Sequence, residues 1–195
     1  MCLYNPEKID TEGKDIKVYK VIIAKKVIIA KADCCGSVSY RSPYFRFMKN
    51  SVWNMGETNH SEPFAGSHDE SVVKWTINEY GEEERAVSDN AFHSFEKLSD
   101  AIDELLYLRR QENNGTFPLC DSRYMIGRFT IPGDSKYVYV GGTPKYVPSL
   151  SIRDFAPSLS IRDFAKSYAS ESLRFDGLVP NGIYDSILNE DEKRP

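Results

Sequence analysis

Residues 97–112, KLSDAIDELLYLRRQE, decide the fold. Leu98, Ala101, Ile102 and Leu105 recur at i, i+3, i+4 and i+7, which predicts an amphipathic helix with one apolar face. Glu96, Asp100 and Asp103 come early and Arg109 and Arg110 come late, in the sense that the helix dipole favours. Asn113-Asn114-Gly115 supplies a stop. Each large apolar side chain on that face contributes about 1.5–3 kcal/mol when buried. Such a stripe needs a second layer to cover it.

The expected partner follows directly. Residues 124–140, YMIGRFTIPGDSKYVYV, alternate through 124–131, turn at Pro132-Gly133-Asp134-Ser135 and return through 136–140. This pattern predicts a hairpin. Residues 16–31 are rich in Val, Ile and Tyr and read as a strand. Val73, Trp75 and Ile77 alternate with Lys74, Thr76 and Asn78, as in a half-buried strand. Residues 52–57 and 172–179 read as further strands. Residues 37–47 read as short extended pieces broken at Pro43, residues 59–70 as polar loop, and residues 81–85 as a charged turn. The expected fold class is therefore α+β, a mainly antiparallel sheet packed by one principal amphipathic helix. Residues 1–180 are expected to form one domain, and 181–195 a polar C-terminal tail.

Two exact tandem repeats interrupt this pattern. KVIIAK at 20–25 recurs at 26–31, and PSLSIRDFA at 148–156 recurs at 157–165. Both are shorter than the units of a solenoid. Six is even, so a continuous strand through the first repeat keeps its inward and outward faces. Nine is odd, so a strand through the second would exchange them, and Pro157 would break its ladder. A loop or short helical turn is expected there.

The 195 residues carry a formal net charge of -4. Nucleic acid is thus not expected as a partner, because phosphate binding needs a positive surplus or a basic stripe. No apolar run approaches the roughly 20 residues that span a bilayer, so no membrane is expected. Residues 1–6 lack the basic start and apolar stretch of a secretion signal, and the expected location is the cytoplasm. Cys2, Cys34, Cys35 and Cys120 show no zinc-finger spacing and are expected to be free thiols. His60 and His68, beside Glu62, Asp69 and Glu70, fit no two-histidine ligand pattern, so neither metal nor cofactor is expected.

His93 and Ser94 stand between a strand-like stretch and the helix, where side chains often face a cleft. They suit acid–base or hydrogen-bonding work. Equally, His93 can satisfy a backbone group while Ser94 caps the helix. The nucleophile elbow and both glycine-rich phosphate motifs are absent from the sequence. Tyr40, Tyr44, Phe45 and Trp53, interleaved with Arg41, Arg46 and Lys49, form an aromatic-rich stretch of the kind found at interfaces and cores alike.

Four scattered pieces carry a resemblance. They are Met1-Cys2-Leu3 with Lys17-Val18-Tyr19-Lys20-Val21, Phe92-His93-Ser94-Phe95 before a helix containing Ala101, Arg128-Phe129-Thr130-Ile131-Pro132 followed by Ser135-Lys136-Tyr137, and Tyr168-Ala169-Ser170. Their order resembles small uncharacterised proteins of bacteriophages and gut-bacterial mobile elements. That resemblance implies an accessory protein acting in the cytoplasm of a bacterial host. It would bind a host or phage protein, with no catalysis evident. A second resemblance is to ADP-ribosyltransferase-like folds. It implies an NAD- or nucleotide-binding cleft near Tyr19, His93 and Ser94, with Glu171 the nearest counterpart of that family's late-strand glutamate.

Overall fold

The computed structural model describes residues 3–27, 37–41, 52–61, 73–77, 83–87, 91–113, 122–145 and 164–184. Its strands are β1 (Tyr4–Ile9), β2 (Ile16–Val27), β3 (Ser37–Arg41), β4 (Thr58–His60), β5 (Val73–Ile77), β6 (Glu83–Val87), β7 (Phe92–Phe95), β8 (Ser122–Ile131), β9 (Val138–Pro144), β10 (Phe164–Ser170) and β11 (Ser172–Leu178). One helix, α1 (Leu98–Asn113), lies between β7 and β8. The fold is α+β, a largely antiparallel sheet with this helix packed on it.

The strands run β4-β11-β8-β2-β7-β10-β9-β1-β6-β5, and β3 also pairs with β2. Every pairing between them is antiparallel. The path has a narrow waist, because β2 meets β7 at one register pair, Tyr19 with Phe95. Farther along that edge β2 pairs with β3, from Ile23 opposite Arg41 to Val27 opposite Ser37. Glu171 alone separates β10 from β11, so the chain turns there from one half of the sheet into the other. This corner closes β11, β8, β2, β7 and β10 into a ring.

The ring has a core of its own. Ile22, Phe92, Phe129, Tyr168 and Phe175, one from each of its strands, meet around Trp53. Trp53 stacks edge-on against Phe92 at 5.2 Å and Phe129 at 4.9 Å, measured between ring centroids. Such tilted contacts suit the ring quadrupoles. Outside the ring, α1 lays Ala101, Ile102, Leu105 and Leu108 on Val21 and Ile23 of β2 and Tyr124 and Ile126 of β8. Over Val21-Ile22-Ile23 strand β2 is thus apolar on both faces, because both are covered there. The helix is also pinned at its first turn, where Lys145 Nζ lies 2.8 Å from Asp100 Oδ1.

Residues 124–140 do not form the expected hairpin. Both edges of β8 are taken by β2 and β11, and both edges of β9 by β1 and β10. The turn after Pro132 is therefore a crossing between the two halves. It docks on the turn before β2. The Thr11 hydroxyl donates to the Gly133 carbonyl at 2.6 Å, and the Gly133 N–H donates to Asp15 Oδ1 at 3.0 Å. A β-carbon at Gly133 would sit 2.3 Å from the Gly13 carbonyl carbon, so only glycine fits the contact.

Other expectations change as well. Val52 makes an isolated bridge to Arg41, and a turn at Met55-Gly56 separates it from β4, which falls where loop was expected. Strand β6 begins at Glu83, inside the expected charged turn. The first repeat continues as strand into its second copy, to Val27, while the second repeat lies outside the described residues except for Phe164 and Ala165 in β10. The packed chain runs past residue 180. Asn181–Ile183 make a 3-10 turn that delivers Tyr184 into the helix-side core.

Two substitutions test this frame. Leu105→Ala removes a fully buried helix residue and is expected to cost about 2–5 kcal/mol. Gly133→Ala is expected to cost about 1–3 kcal/mol by forcing the crossing off the β1–β2 turn. Chemical denaturation followed by circular dichroism measures both, and an unchanged midpoint for Gly133→Ala would show that the docked turns can part freely.

Candidate functional site

The waist between β2 and β7 divides the three residues expected at a cleft, with Tyr19 and His93 on the helix side of the sheet and Ser94 on the ring-core face. Tyr19 is in register with Phe95, and it packs on the helix side of the sheet. His93 is 7% exposed and Ser94 0%, so both lie inside the structure and not on an open rim. Ser94 caps nothing, because it is a strand residue and α1 begins four positions later. Its hydroxyl has no hydrogen-bond partner among the described residues. Glu171 stands apart from this group. It follows Ser170, which is opposite Phe92, whereas Tyr19 is opposite Phe95 at the other end of β7. The Glu171 carboxylate accepts the Lys136 N–H at 3.1 Å, which braces the corner between β10 and β11.

The structure adds a residue that sequence reasoning passed over. Val18 and Ile22 of β2 point into the ring core. Lys20 stands between them on the same face, because strand side chains alternate with period two. Lys20 is 6% exposed. Its Nζ donates to the His93 carbonyl at 2.7 Å. No carboxylate contacts it among the described residues. Burial pulls its pKa down to about 8, and Glu104 of α1 offsets part of that shift. Desolvation disfavours the charged amine, which explains the direction. The signal in the sequence is Lys20 standing between Val18 and Ile22, at an inward position of the strand flanked on its own face by β-branched residues.

Four further polar side chains continue from Lys20 across β7 and β10, beginning with Ser94. The register of β7 with β10 puts Ser94 opposite Tyr168. The Tyr168 hydroxyl donates to Glu96 Oε1 at 3.2 Å, and Lys166 Nζ donates to the same oxygen at 2.7 Å. The Lys166 hydrogen bond holds the Glu96 carboxyl below its ordinary range, while burial pushes the Tyr168 hydroxyl up. Chemically the set comprises a buried amine, a hydroxyl, a neutral phenol and an ionised carboxylate–ammonium pair at the rim.

A second place concerns the aromatic stretch. Trp53, expected at an interaction surface, is 1% exposed and belongs to the ring core. Tyr40 is half-buried against Phe175, at 5.7 Å between centroids. Tyr44 and Phe45 lie outside the described residues. What Trp53 anchors is its neighbour Met55, which is 76% exposed. The turn carrying Met55 is clamped by the Gly56 N–H on the Phe175 carbonyl at 2.7 Å and the Phe175 N–H on the Glu57 carbonyl at 3.2 Å. The chain then continues as β4, at one end of the sheet.

Among the described residues, no helix is long and apolar enough to cross a membrane. Nor does any group of three or more His, Cys, Asp or Glu among them have the placement to hold a metal ion. No family model, no curated protein and no solved structure matches this chain.

Lys20 gives the site a pH signature. Its amine returns to 10.5 when the chain unfolds. Between about pH 8 and 10.5 the unfolded state therefore binds the extra proton, and stability rises with pH across that window. The penalty is fully present below pH 8 and amounts to about 3 kcal/mol. From pH 7 to pH 10 the parent protein is expected to gain up to about 3 kcal/mol relative to Lys20→Met. Parallel urea titrations at unit pH steps measure this, and identical pH slopes for the two proteins would contradict it.

Proposed function

We propose that the protein acts by binding another protein, a host or phage factor in the setting implied by the resemblance, through its β4 edge and the Met55 turn. The carrying observation is Met55 itself. A large apolar side chain projects into solvent from a turn fixed on both sides, by buried Trp53 and by backbone hydrogen bonds to Phe175. A rigid apolar knob binds without a large ordering cost.

The adjoining edge supplies directional bonds. Ser61 N–H reaches the Glu171 carbonyl at 2.7 Å, and the Glu57 carbonyl accepts from Phe175. Odd-numbered residues of this segment thus aim their backbone groups at β11. By the alternation of an antiparallel ladder, Thr58 and His60 aim theirs away from it. An extended segment of a partner can pair there, with Met55 filling an apolar pocket beside it.

A photo-crosslinking residue placed at position 57 is expected to capture a discrete protein from bacterial lysate. That protein, once purified, is expected to bind at least tenfold more weakly to Met55→Asp, a loss of about 1.4 kcal/mol or more. His60→Pro removes one outward N–H and is expected to weaken it similarly. Both variants should keep the parent's thermal midpoint within about 2 °C, since neither touches the core. Capture of a partner indifferent to both substitutions would overturn the edge-binding reading.

A further inference from the structure

One row of side chains crosses the inner face of the ring. Gly127 of β8 is opposite Lys20 of β2. On the other edge of β2, Tyr19 is paired with Phe95, so the next antiparallel position sets Lys20 beside Ser94. Ser94 is opposite Tyr168, and Tyr168 is opposite Val140 of β9. Phe92 and Tyr168 belong to the same core as Val18 and Ile22, which places the row on that inner face. The row therefore reads Gly127, Lys20, Ser94, Tyr168, Val140.

Two members of the row are unusual for a core. The Lys20 ammonium has one acceptor, a main-chain carbonyl, and no carboxylate against it among the described residues. Beside it the Ser94 hydroxyl is wholly buried and makes no hydrogen bond to any described residue. A core selected for stability alone leaves neither group so poorly matched, because each costs free energy. Such pairs concentrate where a ligand completes them.

We propose that Lys20 and Ser94 form a site for a small aldehyde or ketone, which Lys20 holds as an imine. The unprotonated amine attacks the carbonyl carbon, a C–N bond forms, and the oxygen takes up a proton as the nitrogen loses one. The C–O bond of the resulting carbinolamine then breaks, water leaves, and the C=N bond forms. Amine plus carbonyl compound gives imine plus water, with no oxidant or reductant. Ser94, next to Lys20 in the row, is the hydrogen-bonding group for the carbinolamine oxygen, and the protons released by the nitrogen leave with that oxygen as water. Burial favours the reaction, because at neutral pH it leaves about 300-fold more free amine than an ordinary lysine has. This site is on different strands from the β4 edge, so either reading survives failure of the other.

Glycolaldehyde at limiting concentration with cyanoborohydride, which reduces an imine to a stable secondary amine, tests the proposal on the full chain. Peptide mass spectrometry after labelling at pH 7 is expected to show Lys20 modified at least tenfold faster than any surface lysine, with a pH–rate midpoint near 8. Lys20→Arg retains the charge and cannot form the imine, so the fast phase of uptake is expected to vanish in it. Ser94→Ala is expected to slow Lys20 labelling several-fold without moving the midpoint. If Lys20 stays unmodified, or reacts no faster than the surface lysines, the amine is a structural cation and the proposal is wrong. An undiminished fast phase in Lys20→Arg would overturn it as well.

Discussion

Strand β2 is engaged on all four sides, and the rest of the structure depends on that. One edge carries the full length of β8, and the other is divided between β7 and β3. One face lies under α1 and the other lines the ring core. A strand so enclosed must satisfy every backbone group within the protein and must be apolar on both faces. Val18, Val21, Ile22 and Ile23 meet that demand. Lys20 does not, and it is tolerated because its long apolar stem packs in the core while its amine reaches the His93 carbonyl.

The ring around that strand is closed by chain connection as much as by hydrogen bonds. Strands β2 and β7 share one register pair, so the waist is weak as a ladder. Glu171 joins β10 to β11 covalently on the far side, and the docked turns at Gly13 and Gly133 tie the two halves a second time. Below the helix, the outer face is knitted by charge. Asp176 accepts from Thr130, from Arg174 Nε at 3.2 Å and from Lys17 Nζ at 3.2 Å. Partial burial pushes the Asp176 carboxyl up, and these hydrogen bonds together bring it below its ordinary value. Exposed pairs of this kind contribute little individually. Their service is to satisfy the part of the sheet that α1 does not cover.

This frame explains why the two functional places differ in character. Met55 is presented outward because Trp53 just before it is locked among Phe92 and Phe129. The aromatic stretch therefore contributes to contact indirectly, by fixing what lies beside it. The Lys20 row arises inside, where three strands converge and their inward positions fall side by side. One place presents an apolar group to water and the other withholds polar groups from it. Both are departures from the ordinary partition of side chains.

The sequence by itself determined the elements whose periodicity is strong. Helix 97–112 is observed as Leu98–Asn113, with the apolar face that its spacing required, because i, i+3, i+4 contacts are local. The strands at 16–27, 73–77, 122–131 and 172–178 follow from β-branched or alternating runs, and the even period of KVIIAK allowed β2 to run on into its second copy. Which strands pair is a different matter. A turn such as Pro132-Gly133-Asp134-Ser135 encodes a reversal of direction, but neighbours are settled by which edges remain open once the whole sheet assembles. Hence β8 and β9 part company, Trp53 goes inward, and a polar loop supplies β4. The candidate site was legible only in pieces, His93 and Ser94 being visible near the helix and Lys20 hidden in a strand. Their meeting depends on the single Tyr19–Phe95 pair, a contact between residues 76 positions apart. Local patterning carries no information about a contact of that separation.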